Sequence, residues 1–286
     1  MVEVVVMDGQ LFDGRFPVML TFDVDGESNW LSRDPRNANR PTTLSFGVYG
    51  PKVGLARILK LLARYEIKAT FFVPGWIIER WKPQISAVVE QGHEIGHHGW
   101  LHESAEALGS EEKGWEILEK GTRIIKELTG GPPSGYRAPG AELLPYTISH
   151  LVKAGFLYSS NMMDDDSPYF HDLNGQRTKL VELPVQWQLE DSPFFLFSPH
   201  VPGRQMYAPS TVLEIWQREF DALAVEPGKC FVLTLHPEHM GRPSRLSMLE
   251  EFIRHTLQNG RAWFARCDEV SRAYVEAVFG ARAPEG

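Results

Sequence analysis

FPVMLTF, residues 16–22, decides the fold, because this short stretch is almost entirely apolar. Such a run, without polar alternation, is typical of a β-strand that is buried on both faces, as in a parallel sheet. The next apolar pattern, residues 53–66, has the period of an amphipathic helix. Its apolar stripe consists of Leu55, Ile58, Leu59 and Leu62. KATFFVPG, residues 68–75, is strand-like again, so the chain begins as strand, helix and strand.

The same alternation continues along the chain. Further helical patterns cover residues 83–91, 110–131, 147–154, 210–224 and 244–260, and further strands are predicted near HEIGHH, FLYSSN, LVELPV and KCFVLTL. Strands separated by helices predict an α/β fold with a parallel sheet, either open or closed into a barrel. Because no linker, low-complexity tract or internal repeat divides the chain, we predict a single domain over residues 1–286.

The charge balance excludes two classes of partner. The chain has 29 basic and 37 acidic residues, a net charge of −8, and no concentrated basic segment. Nucleic acid and anionic membrane are therefore not expected as partners. The sequence shows no signal peptide and no apolar run of about 20 residues, so we expect a cytoplasmic protein. Cys230 and Cys267 are isolated and are predicted to be buried and unpaired.

Polar residues that can do chemistry follow several of the predicted strands. They are Asp23, Asp25, His98, Arg137 and His236. In barrels the active site is assembled at the carboxyl ends of the strands, so we expect these five side chains to meet there.

GHEIGHHGWLHE, residues 92–103, holds four of the ten histidines. On a helical turn, His98 and His102 would point the same way and could present two imidazoles to one metal ion. A third ligand is available from Asp23 or Asp25, and a catalytic zinc site also keeps one position open for water. His93 and His97 are interpreted as local hydrogen-bonding residues. Each feature has an ordinary explanation, such as a turn-capping aspartate, but together they predict a metal centre.

These motifs resemble a known family. TFDVDGE, GHEIGHHGWLHE, YRAPG and LTLHP are similar, in content and in order, to the motifs of the polysaccharide deacetylases, carbohydrate esterase family 4 or the NodB-homology domain. The resemblance covers residues 17 to about 240. It implies a NodB-like, distorted (β/α) barrel related to the TIM barrel. It also implies metal-dependent hydrolysis of an acetamide C–N bond with a divalent ion, most often zinc.

The resemblance also implies roles for individual residues. Asp23 matches the general base, Arg137 the arginine that holds it, and His236 the general acid. The metal ligands would be Asp25, His98 and His102. Val24 separates the two aspartates, whereas the usual motif sets them adjacent, as in a subgroup of relatives. For the aspartate that tunes the general acid, the candidates are Asp164, Asp165 and Asp166, which can also be a solvated loop.

Elementary chemistry is consistent with these roles. A bound divalent ion lowers the pKa of water from about 16 toward about 7 and polarises a carbonyl oxygen. Asp23, kept ionised by Arg137, would accept the proton of that water. An ordinary histidine titrates near neutral pH, so His236 would be able to protonate the departing nitrogen. Two alternatives without catalysis are a sugar-binding module and a structural metalloprotein with a closed coordination shell.

The substrate is left open between two kinds of amide. Other segments, including VELPVQWQLEDSPFF, resemble a subgroup with allantoinase-like enzymes, cyclic imidases and a bacterial peptidoglycan deacetylase homologue, many of them homotetramers. The alternative to deacetylation is thus ring opening of a small cyclic amide or imide. Residues 26–54 are predicted to be a long functional loop. Four aromatic side chains are predicted to line the substrate pocket: Trp30, Tyr49, Trp100 and Trp187.

Overall fold

A computed structural model describes residues 11–197 and 205–280. Within these ranges nine strands form one sheet. The strands are β1 (Phe16–Asp23), β2 (Thr70–Val73), β3 (Glu94–His97), β4 (Gly135–Tyr136), β5 (Tyr158–Ser159), β6 (Tyr169–Leu173), β7 (Gln176–Glu182), β8 (Phe231–Leu235) and β9 (Ala262–Phe264). Their order is β6-β7-β5-β4-β3-β2-β1-β8, and β9 also pairs with β1. All strand pairs are parallel except β6 with β7.

One bridge links the two ends of the parallel part of this sheet. Glu190, which follows β7, pairs with Thr234 of β8 in parallel. The amide of Asp191 donates a 3.0 Å hydrogen bond to the Thr234 carbonyl. The ring of strands is therefore joined on this side by a bridge and not by a continuous ladder. The predicted α/β fold, a distorted (β/α) barrel, is confirmed in this form.

Helices connect the strands. They are α1 (Ser28–Arg33), α2 (Pro41–Tyr49), α3 (Leu55–Arg64), α4 (Gly75–Arg80), α5 (Lys82–Glu90), α6 (Ala105–Leu108), α7 (Glu111–Thr129), α8 (Thr147–Ala154), α9 (Ser192–Phe195), α10 (Pro209–Leu223), α11 (Pro237–Met240), α12 (Pro243–Thr256) and α13 (Cys267–Gly280). The longest helix is α7. At its start the Ser110 hydroxyl accepts a hydrogen bond from the Lys113 amide. It ends at the left-handed Gly130, a common helix stop.

The core confirms the sequence patterns at the start of the chain. All eight residues of β1 are buried, as expected for a strand covered on both faces. The predicted apolar stripe of α3 is buried as well. Phe22 of β1 stacks on Phe71 of β2 with ring centroids 4.9 Å apart. This packing fixes the end of β1, where Asp23 lies.

Residues 26–54 are largely helical, so the prediction of a long loop without structure is wrong. They contain α1, a 3₁₀ turn (Pro35–Asn39), α2 and a π-helical turn (Gly50–Gly54). Proline at the first helical position is favourable because its φ is already helical, and Pro35 and Pro41 begin two of these elements. In α2, Gly47 lies against the Gly26 backbone, where a Cβ would come within 2.2 Å of the Gly26 carbonyl oxygen. This contact packs α2 against the loop that carries Asp25.

Two further sequence predictions concern the rest of the chain. Cys230 and Cys267 are both buried and unpaired, as predicted. In the described ranges, no helix combines the length and apolarity needed to span a bilayer.

Candidate active site

The carboxyl ends of four strands bring the predicted residues together. Asp23 ends β1, His98 follows β3, Arg137 follows β4 and His236 follows β8. These four and Asp25 line one cavity of about 150 Å³. The expectation that polar residues at separate strand ends would meet is confirmed.

Asp25, His98 and His102 form a group whose donor atoms lie within 4.8 Å of one another. Asp25 Oδ1 is 3.4 Å from His98 Nε2, and Asp25 Oδ2 is 3.2 Å from His102 Nε2. Among the described residues Asp25 Oδ1 has no hydrogen-bond partner, although it is buried. Burial alone raises the pKa of Asp25, but His102 and His98 outweigh it and hold that pKa well below its usual range. An ionised carboxylate between two imidazoles is a donor set that fits a divalent ion.

The two histidines are presented by a loop and not by a helix. Residues 98–104 have no helical structure, and both Gly99 and His102 are left-handed, with φ of 73° and 57°. The Glu103 carboxylate holds this loop by accepting hydrogen bonds from the amides of Trp100 and Leu101, each at 2.9 Å. The predicted helical turn is therefore wrong, although the predicted convergence of His98 and His102 is correct.

The orientation of His98 is set by a backbone contact. Its Nδ1 lies 2.8 Å from the carbonyl oxygen of Arg137. With the proton on Nδ1, this nitrogen donates to the carbonyl and Nε2 keeps its lone pair directed toward Asp25. Such a hydrogen bond at the ring nitrogen that does not face the metal group fixes the tautomer and the direction of a metal-binding histidine.

Asp23 forms a buried ion pair with Arg137. Arg137 Nη1 donates to Asp23 Oδ1 at 2.9 Å and to the Thr21 hydroxyl at 2.8 Å. Its Nη2 donates to the Ser160 hydroxyl at 2.9 Å, and the guanidinium lies 4.3 Å from the centre of the Phe72 ring. The guanidinium therefore binds one oxygen of the Asp23 carboxylate and fixes its direction. The other oxygen, Asp23 Oδ2, stands 3.9 Å from His98 Nε2 and faces the metal group.

His236 is held by Asp191, which the sequence analysis did not identify. Asp191 Oδ1 is 2.6 Å from His236 Nδ1, and Asp191 Oδ2 accepts the His236 amide at 2.8 Å. Burial alone lowers the pKa of His236, but the charge and hydrogen bond of Asp191 outweigh it and raise that pKa well above its usual value. The free Nε2 lies 3.7 Å from Asp25 Oδ2, at the cavity.

The three aspartates considered for this contact have other partners. Asp164 accepts from the Tyr169 hydroxyl at 2.7 Å. Asp165 caps the amides that follow it, and Asp166 accepts from the Gln186 side chain. Among the described residues, the carboxylate that contacts His236 is therefore that of Asp191 and not that of one of these three candidates. The bridge between Glu190 and Thr234 places Asp191 beside β8, and that pairing cannot be read from the sequence.

Of the four aromatic residues predicted to line the pocket, Trp187 lines the cavity and is half exposed. Trp30 is buried edge-on against Phe46, with ring centroids 6.0 Å apart. The Tyr49 hydroxyl donates to the Gly241 carbonyl at 3.1 Å. Trp100 packs on Gly75 and beneath the Lys120 ammonium, 3.5 Å from its ring centre. These three side chains do not line the cavity. Each of them packs one element against another instead.

The remaining wall of the cavity was missed by the sequence analysis. It includes Asn29, Arg33, Met163, Gln186, Glu190 and Ser192.

In contrast, the interpretation of two other histidines is confirmed. His93 Nδ1 accepts from the Ala69 amide at 3.1 Å, and His97 Nδ1 accepts from the Gly99 amide at 3.1 Å.

Comparison with known proteins gives matches over most of the chain. A family model described as polysaccharide deacetylase matches residues 36–159, which include His98, His102 and Arg137. A peptidoglycan deacetylase of Helicobacter pylori is 32% identical over 278 residues, covering 89% of this chain and 94% of that protein.

Solved structures of other proteins superpose on most of this chain. A putative polysaccharide deacetylase from Mycobacterium smegmatis superposes with a TM-score of 0.87 at 37% identity, covering 96% of this chain and 93% of that one. An allantoinase superposes with a TM-score of 0.81 at 22% identity, covering 100% and 99% of the two chains. At that identity the second likeness shows a shared fold.

Proposed function

Since this chain belongs to the polysaccharide deacetylase family, and is thus a metal-dependent hydrolase of C–N bonds other than peptide bonds, we propose that it removes the acetyl group from an N-acetylated amino sugar. The observation that carries this proposal is the cavity in which a carboxylate–histidine metal group, an arginine-held carboxylate and an aspartate-held histidine converge. As expected from the sequence, we also propose a single domain and a cytoplasmic location, and the resemblance to the subgroup of homotetramers leads us to propose a homotetramer.

The metal group consists of Asp25, His98 and His102, and zinc is the ion we propose. One carboxylate oxygen and two imidazole nitrogens match the three protein ligands of catalytic zinc sites, which leave a position for water. When bound, such an ion polarises the amide carbonyl and lowers the pKa of water.

Asp23 acts as the general base. Its Oδ1 is occupied by Arg137, whereas its Oδ2 faces the metal group and is placed to accept a proton from the attacking water. Arg137 fixes the direction of this carboxylate through that hydrogen bond.

His236 acts as the general acid at the same cavity. Asp191 holds its Nδ1, so that a protonated Nε2 points to the cavity and can donate to the nitrogen that leaves. A base and an acid therefore line one cavity, and hydrolysis of an amide C–N bond uses both.

The size of the cavity favours a second candidate, the ring opening of a small cyclic amide or imide. A cavity of about 150 Å³ holds a single ring of about the size of benzene. The same groups would serve both reactions, because in each a water attacks an amide carbonyl and the nitrogen leaves with a proton.

A substrate panel tests the two candidates directly. Zinc-loaded protein is incubated with N-acetylglucosamine, chitin oligomers, peptidoglycan fragments, succinimide, hydantoin and allantoin. Acetate release from the sugars supports deacetylation, and ring opening of the cyclic compounds supports the second candidate. Absence of hydrolysis of every amide in the panel contradicts the proposed function.

Asp191→Asn is expected to move the alkaline limb of the pH–activity profile to lower pH. The general acid must be protonated, so activity falls as pH rises through the pKa of His236. The charge of Asp191 raises that pKa, and its removal lowers it. We also expect a loss of about 10- to 100-fold in kcat, as for other residues that orient a functional histidine. The measurement is kcat/KM from pH 5 to 10.

Asp166→Asn is the matched control, because Asp166 accepts from Gln186 and not from His236. Its profile is expected to coincide with that of the wild type. An unchanged alkaline limb in Asp191→Asn would remove His236 as the proton donor.

A further inference from the structure

A second group of metal-binding side chains borders the same cavity. Asp191, His236 and His239 each offer one donor atom, and these atoms lie within 4.8 Å of one another. Both histidines line the cavity, and Asp191 contacts His236 Nδ1 at 2.6 Å. All three residues are buried, with exposed fractions of 0%, 8% and 2%. One carboxylate and two imidazoles are the same kinds of donor as in the first group, and they suit zinc.

His239 is the member of this group that the proposed hydrolysis does not use. It lies on α11, three residues after His236, so the two rings project from the same helical turn. Their ring centroids are 5.6 Å apart, and the His239 amide donates to the His236 carbonyl at 2.9 Å. His239 Nδ1 is buried and has no hydrogen-bond partner among the described residues. Because a buried polar atom without a partner is costly, this nitrogen indicates a ligand that the group can accept.

The position of the second group beside the first determines how strongly it can bind. Asp25 Oδ2 is 3.2 Å from His102 Nε2 in the first group and 3.7 Å from His236 Nε2 in the second. Two divalent ions held by groups so close to each other repel. An ion in the second group must also displace a proton from His236, because a metal-bound imidazole is unprotonated at the ligating nitrogen. The second ion is therefore expected to bind more weakly than the first and to require an excess of metal.

We propose that Asp191, His236 and His239 form a second, inhibitory site for a divalent cation such as zinc. An imidazole that ligates a cation cannot also carry the proton that His236 gives to the departing nitrogen, so an occupied second site removes the general acid. The displaced proton passes to solvent. Excess metal thus stops hydrolysis while the first ion stays bound. The inhibition rests on the proposed function, whereas the binding of a second ion does not.

A metal titration tests the second site without a substrate. Metal-free protein is titrated with zinc by calorimetry, and bound zinc is counted after equilibrium dialysis against excess zinc. Wild type is expected to bind two ions per chain, the second more weakly than the first. His239→Phe is expected to bind one, since phenylalanine keeps a ring beside Phe46, 5.4 Å away, but offers no nitrogen. His239→Gln is a second variant with a smaller side chain, and it is expected to bind one ion as well.

The dependence of activity on zinc concentration tests the inhibition. Wild-type kcat/KM is expected to rise up to one equivalent of zinc and then to fall by about 10²-fold in excess, since a general acid contributes at least that factor. The ratio of activity in excess zinc to activity at one equivalent is compared within each variant, so that a change of basal activity cancels. In both His239 variants this ratio is expected to stay close to unity.

His255→Phe is the matched control. His255 also pairs with an aspartate, since its Nε2 lies 2.8 Å from Asp221 Oδ1, and its ring packs on Phe220, but it lies away from the cavity. This variant should bind two ions and keep the inhibition. A wild type that binds a single ion, or a second ion that both His239 variants retain, overturns the second site and leaves the proposed function intact. If wild type hydrolyses no amide at any zinc concentration, the proposed function fails, and the ion count alone decides the second site.

Discussion

His98→Ala is expected to abolish both retention of the metal ion and hydrolysis. The substitution removes one of three protein ligands, whose Nε2 lies 3.4 Å from Asp25 Oδ1. A site with two remaining ligands, Asp25 and His102, cannot hold an ion with three protein contacts. We expect activity to fall by on the order of 10³-fold or more, since loss of an outer contact to a ligand alone costs about 10- to 100-fold. Zinc content after dialysis against an equimolar ion, together with kcat/KM, is the measurement.

His255→Ala is the control for this loss. His255 is partly exposed and its Nε2 lies 2.8 Å from Asp221 Oδ1, away from the cavity. This variant should keep one ion per chain and wild-type activity. Full zinc occupancy in His98→Ala would show that the ion is bound elsewhere, and the assignment of the metal group would be wrong.

Much of the site could be predicted because the signals are local. An apolar strand that ends in a polar residue can be recognised within ten residues, as for β1 and Asp23. Parallel strands place their carboxyl ends at one edge, so Asp23, Arg137 and His236 could be expected to meet without knowledge of their contacts. The convergence of His98 and His102 also follows from their positions after one strand.

The contacts that depend on distant pairing could not be predicted. Asp191 reaches His236 because the chain after β7 bridges to β8, 45 residues further on. The route of the backbone between His98 and His102 depends on two left-handed residues and on hydrogen bonds to Glu103. Nothing in the spacing of the two histidines distinguishes this loop from a helical turn.

One element had a signal that the sequence analysis passed over. β6 and β7 form an antiparallel hairpin across Asn174 and Gly175, whose φ values are 52° and 74°. Asn-Gly with both residues left-handed is the preferred two-residue turn between antiparallel strands. The strand near LVELPV was predicted, but its partner was not, because the strand–helix alternation elsewhere favoured parallel pairing.

Asp23→Asn is expected to retain the metal ion and lose hydrolysis. Asparagine keeps an oxygen that can accept from Arg137, but its amide cannot take a proton from water. General bases contribute about 10²- to 10⁴-fold, and we expect kcat to fall within that range. Because Asp23 lies outside the group of Asp25, His98 and His102, zinc content should stay at one ion per chain. Single-turnover kinetics and metal analysis on the same preparation measure the two effects.

Thr21→Val distinguishes loss of the base Asp23 from a weakened hold on its partner, Arg137. Thr21 accepts from the same Arg137 Nη1 that binds Asp23, so the variant weakens the hold on Arg137 and leaves the carboxylate in place. If Asp23 acts by accepting a proton, Thr21→Val should lose less activity than Asp23→Asn, because the carboxylate and its contact to Arg137 remain. If instead the ion pair only maintains the shape of the cavity, the two variants should fall by similar factors and with similar loss of thermal stability. If Asp23→Asn alone loses most of its kcat and keeps its thermal stability, Asp23 is the group that accepts the proton.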